Sequence, residues 1–423
     1  MRYFYRYYLL LFLIVLVWRA YDLPLRFWNG LIWSDAEGYY LYLPATFIYG
    51  TFEELPVRTT DQFFMYEGTN KRFTKYTCGV AIMQAPFFWV ADQLVKIKGL
   101  ERDGYSAFYI RSIQWAAIFY AFLGLLLLKK ILTRHFTEGI TFLTLLGLFF
   151  GTNLFHYAVQ EPGMSHVYSF FLFALFVYLT PDFYQKPGWK RFALMGFLLG
   201  LIVLIRPTNL FLLIYLLGYG IRSRHDLQVR VRFIQRHFGQ LLIAPLCSLL
   251  VFVPQFVYWK YISGDWLIYS YGEEGFKWLN PKIDRLLFDI KNGWLLFSPM
   301  AGLGLIGLFL AFKRNAYDSR IILTLLLVLI YIWSSWWCWW FGGAFGQRNF
   351  VEWYVLLAFP FALLAQRIFE QKYRILQVVY SLVFFAALYY GFYLCLSFTG
   401  PHYEWWEWHL VTEHMIKFKL FKP

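Results

Sequence analysis

Charged side chains that could do chemistry recur at intervals along an otherwise apolar chain. A carboxylate can act as a general base or a metal ligand, and a fixed guanidinium suits phosphate because it donates in a planar fork. The candidates are the two acids Asp35 and Glu37 and four possible anion ligands, Lys75, His166, Arg206 and Arg348. This combination indicates acid–base chemistry next to an anionic group.

The two acids stand in the sequence Ser34-Asp35-Ala36-Glu37. This pattern also fits a capping box, in which Glu37 caps the start of a helix. On a helix, residues two apart point to different faces, so both acids should not do the same job. We expect Asp35 to be the base or metal ligand, and both interpretations stay open for Glu37.

Two arginines stand where the apolar pattern is interrupted. Pro207 follows Arg206 and predicts a helix break, which membranes tolerate only beside protein or a water-filled cavity. Arg348 follows a run of tryptophans and glycines over residues 333–346. Trp337 and Trp340 could hold a sugar or a prenyl chain, although an interfacial aromatic belt also explains such tryptophans. Snorkelling at an interface is the alternative interpretation for Arg206.

The composition identifies the elements that must position these residues. The chain has 423 residues, of which 60% are hydrophobic, 23% aromatic and only 15% charged. This excludes a soluble globular domain, a disordered chain and a disulfide scaffold, and it indicates an all-α polytopic membrane protein. About eleven transmembrane helices are predicted near residues 9–17, 110–128, 139–157, 166–180, 191–205, 208–221, 239–258, 293–312, 320–335, 350–366 and 375–396.

The charge distribution predicts the orientation of the chain. Lys and Arg number 39 against 25 Asp and Glu, and the excess falls on alternate loops when residues 78–95 form an interfacial helix instead of a span. The positive-inside rule then places the N-terminus in the cytoplasm and the C-terminus outside. The net charge of +14 therefore needs no nucleic-acid partner.

This orientation gathers the candidate residues on the outer side. The predicted domain covers residues 1–396, with a first outer loop at 25–109 carrying one or two interfacial helices and a second at 259–292. Residues 397–423 form an outer tail. The four cysteines are too far apart for a zinc or disulfide framework.

The order of these motifs resembles the GT-C superfamily of integral membrane glycosyltransferases, which includes protein O-mannosyltransferases and the lipid A aminoarabinose transferase. The matching segments are the acids at 35 and 37, Lys75-Tyr76-Thr77-Cys78-Gly79, Glu161 to His166, Arg206-Pro207-Thr208, Asn292-Gly293-Trp294 and Gly346-Gln347-Arg348. Ala36 departs from the family pattern by splitting the acidic pair, which leaves open which acid is the base.

The resemblance implies a transferase of a hexose or pentose from a polyprenyl-phosphate donor to a hydroxyl of a lipid, glycan or protein. Such a lipid-carried donor fits the outer face of a bacterial cytoplasmic membrane, where nucleotide sugars are absent. Asp35 and Glu37 would be catalytic. Lys75, His166, Arg206 and Arg348 would bind the donor phosphate, and the groove would be lined by Tyr39, Tyr76, Glu161, Trp337 and Trp340.

Other expectations remain open at this point. A divalent metal with Asp35 and His166 among its ligands is compatible with the sequence but not required by it. A polyprenyl-linked sugar flippase or polymerase would also carry aromatic spans and arginines. A non-catalytic membrane assembly subunit would need no set of acids and cations on the outer side.

Overall fold

The computed structural model describes residues 2–23, 31–53, 55–56, 63–398 and 407. In these residues the chain is mostly helical, as predicted. The helices in chain order are α1 Arg2–Asp22, α2 Asp35–Tyr40, α3 Tyr42–Pro44, α4 Gly79–Ile97, α5 Ala107–Leu132, α6 Glu138–Phe150, α7 Leu154–Val159, α8 His166–Gln185, α9 Trp189–Ile205, α10 Leu212–Gly218, α11 Arg224–Arg236, α12 Phe238–Leu241, α13 Ile243–Ser263, α14 Ile283–Phe288, α15 Trp294–Phe297, α16 Pro299–Lys313, α17 Ser319–Ser335, α18 Tyr354–Phe369 and α19 Arg374–Ser397.

The predicted first outer loop contains a short antiparallel sheet that the all-helical prediction omitted. Strand β1 (Phe63–Met65) pairs with β2 (Arg72–Thr74), with Phe64 opposite Phe73. A π-helical turn, Ala45–Tyr49, continues α3.

Each of the eleven predicted apolar stretches overlaps a helix, but only some helices reach a full bilayer width. Among the described residues, four are long and apolar enough to cross a membrane: Ala107–Leu132, His166–Gln185, Phe238–Ser263 and Arg374–Ser397. A span needs about 20 residues, and five further apolar helices are shorter than this. These helices fit a multi-pass membrane protein. The count of eleven spans and the orientation stay predictions.

The ambiguous stretch at 78–95 forms one continuous helix, α4, which passes through Pro86 without a break. It is not among the four long apolar helices of the described chain. One face is buried through residues such as Val80 and Phe88. An interfacial helix with one buried face therefore stays our prediction for this segment.

The chain divides into two compact units. The first combines Met1–Lys130 with Tyr157–Glu273, and the second combines Ile131–His156 with Glu274–Pro423. In the first unit an aromatic core supports α2: the Tyr40 ring lies 5.8 Å from that of Phe88, which lies 4.9 Å from that of Tyr109. This core fixes α2, which carries the acidic pair, against α4 and α5.

Candidate functional site

The acidic pair stands at the start of α2, directly after an unusual backbone conformation. Ser34 has φ 51° and ψ −129°, a backbone conformation that residues other than glycine seldom adopt. Its side chain makes no capping hydrogen bond to the helix, so the capping box is not formed and that alternative was wrong. The Ser34 Oγ instead lies 3.5 Å from Asp35 Oδ1.

The two acids differ in burial. Asp35 is half-buried, whereas Glu37 is only 2% exposed. The difference follows from the helix, because residues two apart face different directions. A proton acceptor for an external hydroxyl must be reachable, so this difference in burial favours Asp35 over Glu37 as the base, and a catalytic role for either acid stays a prediction.

Tyr76 is held directly over the start of α2. Its ring lies 4.6 Å from that of Tyr39 and fills the space that a side chain at position 38 would need, which explains Gly38. The Tyr42 hydroxyl donates to the Tyr76 carbonyl at 2.6 Å. These contacts fix the tyrosine ring from both sides.

The fixed hydroxyl of Tyr76 donates a hydrogen bond to the Asp35 carboxylate. Burial, followed by the charge of Asp35, raises the pKa of Tyr76 well above its usual range. Tyr76 therefore stays protonated and keeps donating at any physiological pH. A hydrogen bond donated to a carboxylate stabilises its charged form, which is the form a general base requires.

Lys75 adds a cation beside this pair. Its Nζ lies 5.6 Å from the ring centroid of Tyr76 and 5.5 Å from that of Tyr271, within the range of cation–π attraction. Its carbonyl accepts a hydrogen bond from Ser270 Oγ at 2.8 Å. The segment before α4 thus brings a lysine and a tyrosine to the acidic end of α2.

The same segment packs against the chain that leads to Arg206. Thr77 Oγ1 donates to the carbonyl of Leu204. Gly79 lies so close to the backbone of Leu204 and Ile205 that a Cβ there would collide with it. The start of α4 and the end of α9 therefore form one packed junction, with Arg206 as the next residue.

Arg206 ends α9 with an extended backbone, and Pro207 then begins a 3₁₀ turn. The predicted helix break is thus confirmed. Its Nη1 lies 3.3 Å and 3.4 Å from the two ring nitrogens of His166 and 3.4 Å from Ser165 Oγ. Arg206 is half-buried, while His166 and Ser165 are each 1% exposed. A partly accessible guanidinium is therefore positioned by buried polar neighbours.

The loop at 161–165 connects this pair to the acidic helix. A Cβ on Gly163 would approach the Cβ of Ala36 to 2.7 Å, so the loop lies directly on α2 between the two acids. The Tyr168 hydroxyl holds the loop by donating to the Pro162 carbonyl at 2.7 Å. Glu161, only 7% exposed, begins the loop. Ala36 splits the acidic pair because this contact leaves room only for a small residue.

A functional neighbour that the sequence analysis missed is Gln255, on α13. Its Oε1 accepts a hydrogen bond from the Cys78 backbone N–H at 2.8 Å and lies 3.5 Å from the Tyr42 hydroxyl. It therefore anchors the segment that carries Lys75 and Tyr76. A polar residue next to Pro254 inside an apolar stretch is costly in a membrane, and this signal could have identified it.

The metal hypothesis gains no support from the described residues. No group of three or more His, Cys, Asp or Glu side chains is placed to hold an ion there. Asp35 and His166 would supply at most two protein ligands, and His166 lies against the Arg206 cation. These residues do not fit a metal centre of their own.

The remaining candidates belong to the second unit. Arg348 begins a 3₁₀ turn, Arg348–Phe350. Trp337 is 43% exposed, and its Nε1 donates to Glu274 at 3.2 Å. The carbonyl of Trp340 accepts from Asn292 Nδ2 at 2.8 Å, and Lys291 Nζ lies 5.7 Å from its ring. The tryptophan-rich stretch is therefore a folded loop, fixed by side-chain hydrogen bonds.

Comparison with known proteins gives a result at the level of the fold. No protein-family model matches the sequence, and no curated protein sequence matches it either. Solved structures of the oligosaccharyltransferase of Archaeoglobus fulgidus, a GT-C glycosyltransferase, are similar. The form tethered to an acceptor peptide with an NVT sequon matches at 13% identity and TM-score 0.52, over 96% of this chain and 57% of that one.

Two further structures of that enzyme agree. The apo form matches at 14% identity and TM-score 0.51, over 96% of this chain and 58% of that one. The complex with an inhibitory peptide and a dolichol-phosphate matches at 13% identity and TM-score 0.50, over 95% and 57%. This chain thus shares the fold of the enzyme over somewhat more than half of the enzyme's length.

Proposed function

We propose that the protein is a glycosyltransferase that moves a sugar from a polyprenyl-phosphate donor to an acceptor hydroxyl. The observation that carries this proposal is the loop at 161–165. Its Gly163 packs on Ala36, beside Asp35, and its Ser165 with His166 contacts Arg206. Three residues reach at most about 11 Å, so Gly163, which lies beside Asp35, and His166, which contacts Arg206, are no farther apart than this along the chain. A carboxylate and a guanidinium brought to one loop are the two groups that the proposed reaction needs.

The proposed reaction needs one base and one anion ligand. Asp35 takes the proton of the acceptor hydroxyl while the oxygen of that hydroxyl forms a bond to the anomeric carbon of the donor sugar. The bond from that carbon to the phosphate oxygen breaks, and polyprenyl phosphate leaves with the electron pair. Because this leaving group is already a stable anion, charge stabilisation by Arg206 replaces a general acid.

The other residues receive roles within the same proposal. Tyr76 orients Asp35, and Glu37 supports α2 from below. Lys75 and His166 complete the anion site together with Arg206. For the second unit taken by itself, Arg348 is proposed as a phosphate-binding residue, and Trp337 and Trp340 as sugar or prenyl contacts. The site is proposed to open to the outer leaflet of a bacterial cytoplasmic membrane.

The donor class rests on chemistry and on the fold. One of the solved structures that share this fold is a complex with a dolichol-phosphate, which is a long isoprenoid phosphate. A groove between apolar helices suits such a chain, and a guanidinium suits its phosphate.

The test uses purified full-length protein in detergent with a panel of polyprenyl-phosphate sugars and no acceptor. Donor binding and slow release of free sugar are measured for the wild type and for Arg206→Ala. We expect donor-dependent release by the wild type and about a 100-fold loss in the variant, the usual cost of removing one stabilising donor from a developing anion. Arg314→Ala, at an exposed arginine after α16, should retain release.

The other two functions predict different results. A flippase would bind donors tightly without releasing sugar. An assembly subunit would bind none of the panel, and its properties would not change in Arg206→Ala. Equal release by the wild type and Arg206→Ala would refute the assigned phosphate site.

A further inference from the structure

The segment at 222–237 is the most basic part of the first unit and takes no part in the proposed reaction. It contains five arginines and two histidines against one acid: Arg222, Arg224, Arg230, Arg232, Arg236, His225, His237 and Asp226. The acid is engaged at the start of α11, where its carboxylate accepts from the backbone N–H and the Oγ of Ser223 at 2.9 Å and 2.8 Å. The helix therefore presents a strongly cationic surface.

One side of α11 anchors the helix to the protein. The guanidinium carbon of Arg230 lies 3.3 Å from the ring centroid of Tyr184, and the ring of Phe233 lies 5.0 Å from the same tyrosine. Arg230 also donates to the Tyr219 carbonyl at the end of α10 at 2.5 Å. These contacts fix the orientation of the helix.

Another side of α11 is apolar and faces no protein in the described chain. Leu227 and Val231, one turn apart, are 51% and 45% exposed, and no residue of the helix is buried. Residues four apart share a helix face. Three arginines of the same helix are exposed: Arg224 lies beside this strip, and Arg232 and Arg236, four residues apart, lie on the polar side of the helix.

The position in the chain places this strip at a membrane surface. Only His237 separates α11 from the apolar segment Phe238–Ser263, which is long and apolar enough to cross a membrane. Just 17% of the most apolar window of that segment is buried inside the protein, so most of its side chains would face lipid. A helix joined directly to the end of such a span ends at the level of the headgroups.

We propose that α11 is an interfacial helix that binds anionic phospholipids, with Leu227 and Val231 at the acyl boundary and Arg224, Arg232 and Arg236 on headgroup phosphates. An amphipathic helix with an apolar strip on one side and basic residues on its polar side combines the two forces that hold helices at anionic bilayers. A soluble acidic protein would not explain an apolar strip at the end of a lipid-facing span. The charge and the position together favour lipid.

The test measures lipid selectivity of the full-length protein in nanodiscs. Spin-labelled phosphatidylglycerol and phosphatidylcholine are compared by electron paramagnetic resonance, which separates lipids at the protein surface from bulk lipids. We expect the wild type to prefer phosphatidylglycerol several-fold, and the triple variant Arg224→Gln, Arg232→Gln, Arg236→Gln to lose most of this preference. High salt should weaken the wild-type preference, because it screens exposed charges.

Two further variants keep the result specific. Replacing the same three arginines by lysine keeps the charge and should keep the preference. Replacing Lys277, Lys282 and Arg285 by glutamine removes equal charge in the loop at 259–292 and should leave the preference unchanged. A glutamine variant of α11 with wild-type selectivity would overturn the proposal. So would an equal loss in the control variant, which would indicate a general effect of net charge.

Discussion

Both units contain buried polar side chains, but those of the first unit support accessible charged groups, Asp35 and Arg206, whereas those around Asn153 in the second unit bond to one another. In the first unit, Asp35 and Arg206 keep part of their surface accessible while buried neighbours hold them. In the second unit, Asn153 is fully buried and bonded on both sides of its amide: Nδ2 donates to the Phe345 carbonyl at 3.3 Å, and Oδ1 accepts from the Tyr354 hydroxyl at 2.8 Å.

The network around Asn153 is closed on itself. The Tyr354 hydroxyl also accepts from Trp294 Nε1 at 3.1 Å, and the Asn153 backbone N–H donates to Ser298 Oγ at 3.3 Å. All four residues are inaccessible to solvent. Such a network stabilises the fold, because every group it buries has a partner.

This comparison gives a criterion that distinguishes a catalytic site from a structural hydrogen-bond network in a membrane protein. Neutral groups that satisfy one another indicate structure. Charged groups that are oriented by buried neighbours yet remain reachable indicate chemistry. The following substitutions test this distinction, because one kind should lower activity and the other should lower stability.

The largest effect is expected for Asp35→Asn. Removing a general base costs about 100- to 10,000-fold in rate, and the isosteric amide keeps the packing of α2. We therefore expect sugar transfer to fall by this factor while the melting temperature and donor binding stay near wild type. Glu67→Gln, at an exposed acid between β1 and β2, is the matched control. Full activity of Asp35→Asn would refute the assigned base.

Asn153→Ala should show the opposite pattern. It removes the hydrogen bond accepted from the Tyr354 hydroxyl and the one donated to the Phe345 carbonyl, and the loss of one such bond costs about 1 kcal/mol. We expect a clearly lower melting temperature and unchanged activity per folded molecule. The exposed Gln228→Ala serves as control. A variant that is stable but inactive would place Asn153 in the site and remove the distinction.

A charged cluster in the first unit should behave like the Asn153 network. Asp92, on α4, is 2% exposed and accepts from Arg102 at 2.9 Å and 3.0 Å and from the Tyr109 hydroxyl at 2.9 Å. Burial acts to raise the pKa of Asp92, but hydrogen bonds from Arg102, Lys96 and Tyr109 outweigh it and lower the pKa to about 2.

Because the pKa of Asp92 is lowered in the folded protein, its contribution to stability decreases as the pH falls. The stabilisation by Asp92 is present above its unfolded pKa of about 4 and disappears as the pH falls toward about 2. Asp92→Asn should cost about 2 kcal/mol at neutral pH, mainly because Arg102 loses its partner, and should flatten the stability profile below about pH 4. Thermal unfolding across this pH range provides the measurement, and an unchanged slope would contradict it.

The smallest effect is expected for Tyr76→Phe, which removes only the hydroxyl that orients Asp35. Loss of one hydrogen bond to a charged group corresponds to about a tenfold decrease in rate. Because the hydroxyl favours the ionised carboxylate, the acidic limb of the pH–rate profile should move to higher pH. Tyr373→Phe, at an exposed tyrosine before α19, removes a hydroxyl outside the site and serves as control. A rate loss without this movement would make Tyr76 a packing residue only.

The sequence predicted the elements better than the details of the site. Each of the eleven predicted apolar stretches overlaps a helix of the structure. Pro207 correctly predicted the helix break at Arg206. The sequence did not predict the β1–β2 hairpin, since each strand has only three residues and so no readable alternation. It could not predict the lengths of helices such as α6, because their ends depend on neighbouring packing.

Residue types and their order along the chain are enough to predict an apolar, helical protein in which acids and cations suited to phosphate chemistry follow one another. The folded structure was needed to show that Glu37 is buried while Asp35 is accessible, that the Tyr76 hydroxyl donates to Asp35, and that Gly163 packs on Ala36. The physical reason is that residue type and spacing fix which face of a helix a side chain occupies. Burial and hydrogen bonding are set by segments far away in the chain that pack against that face.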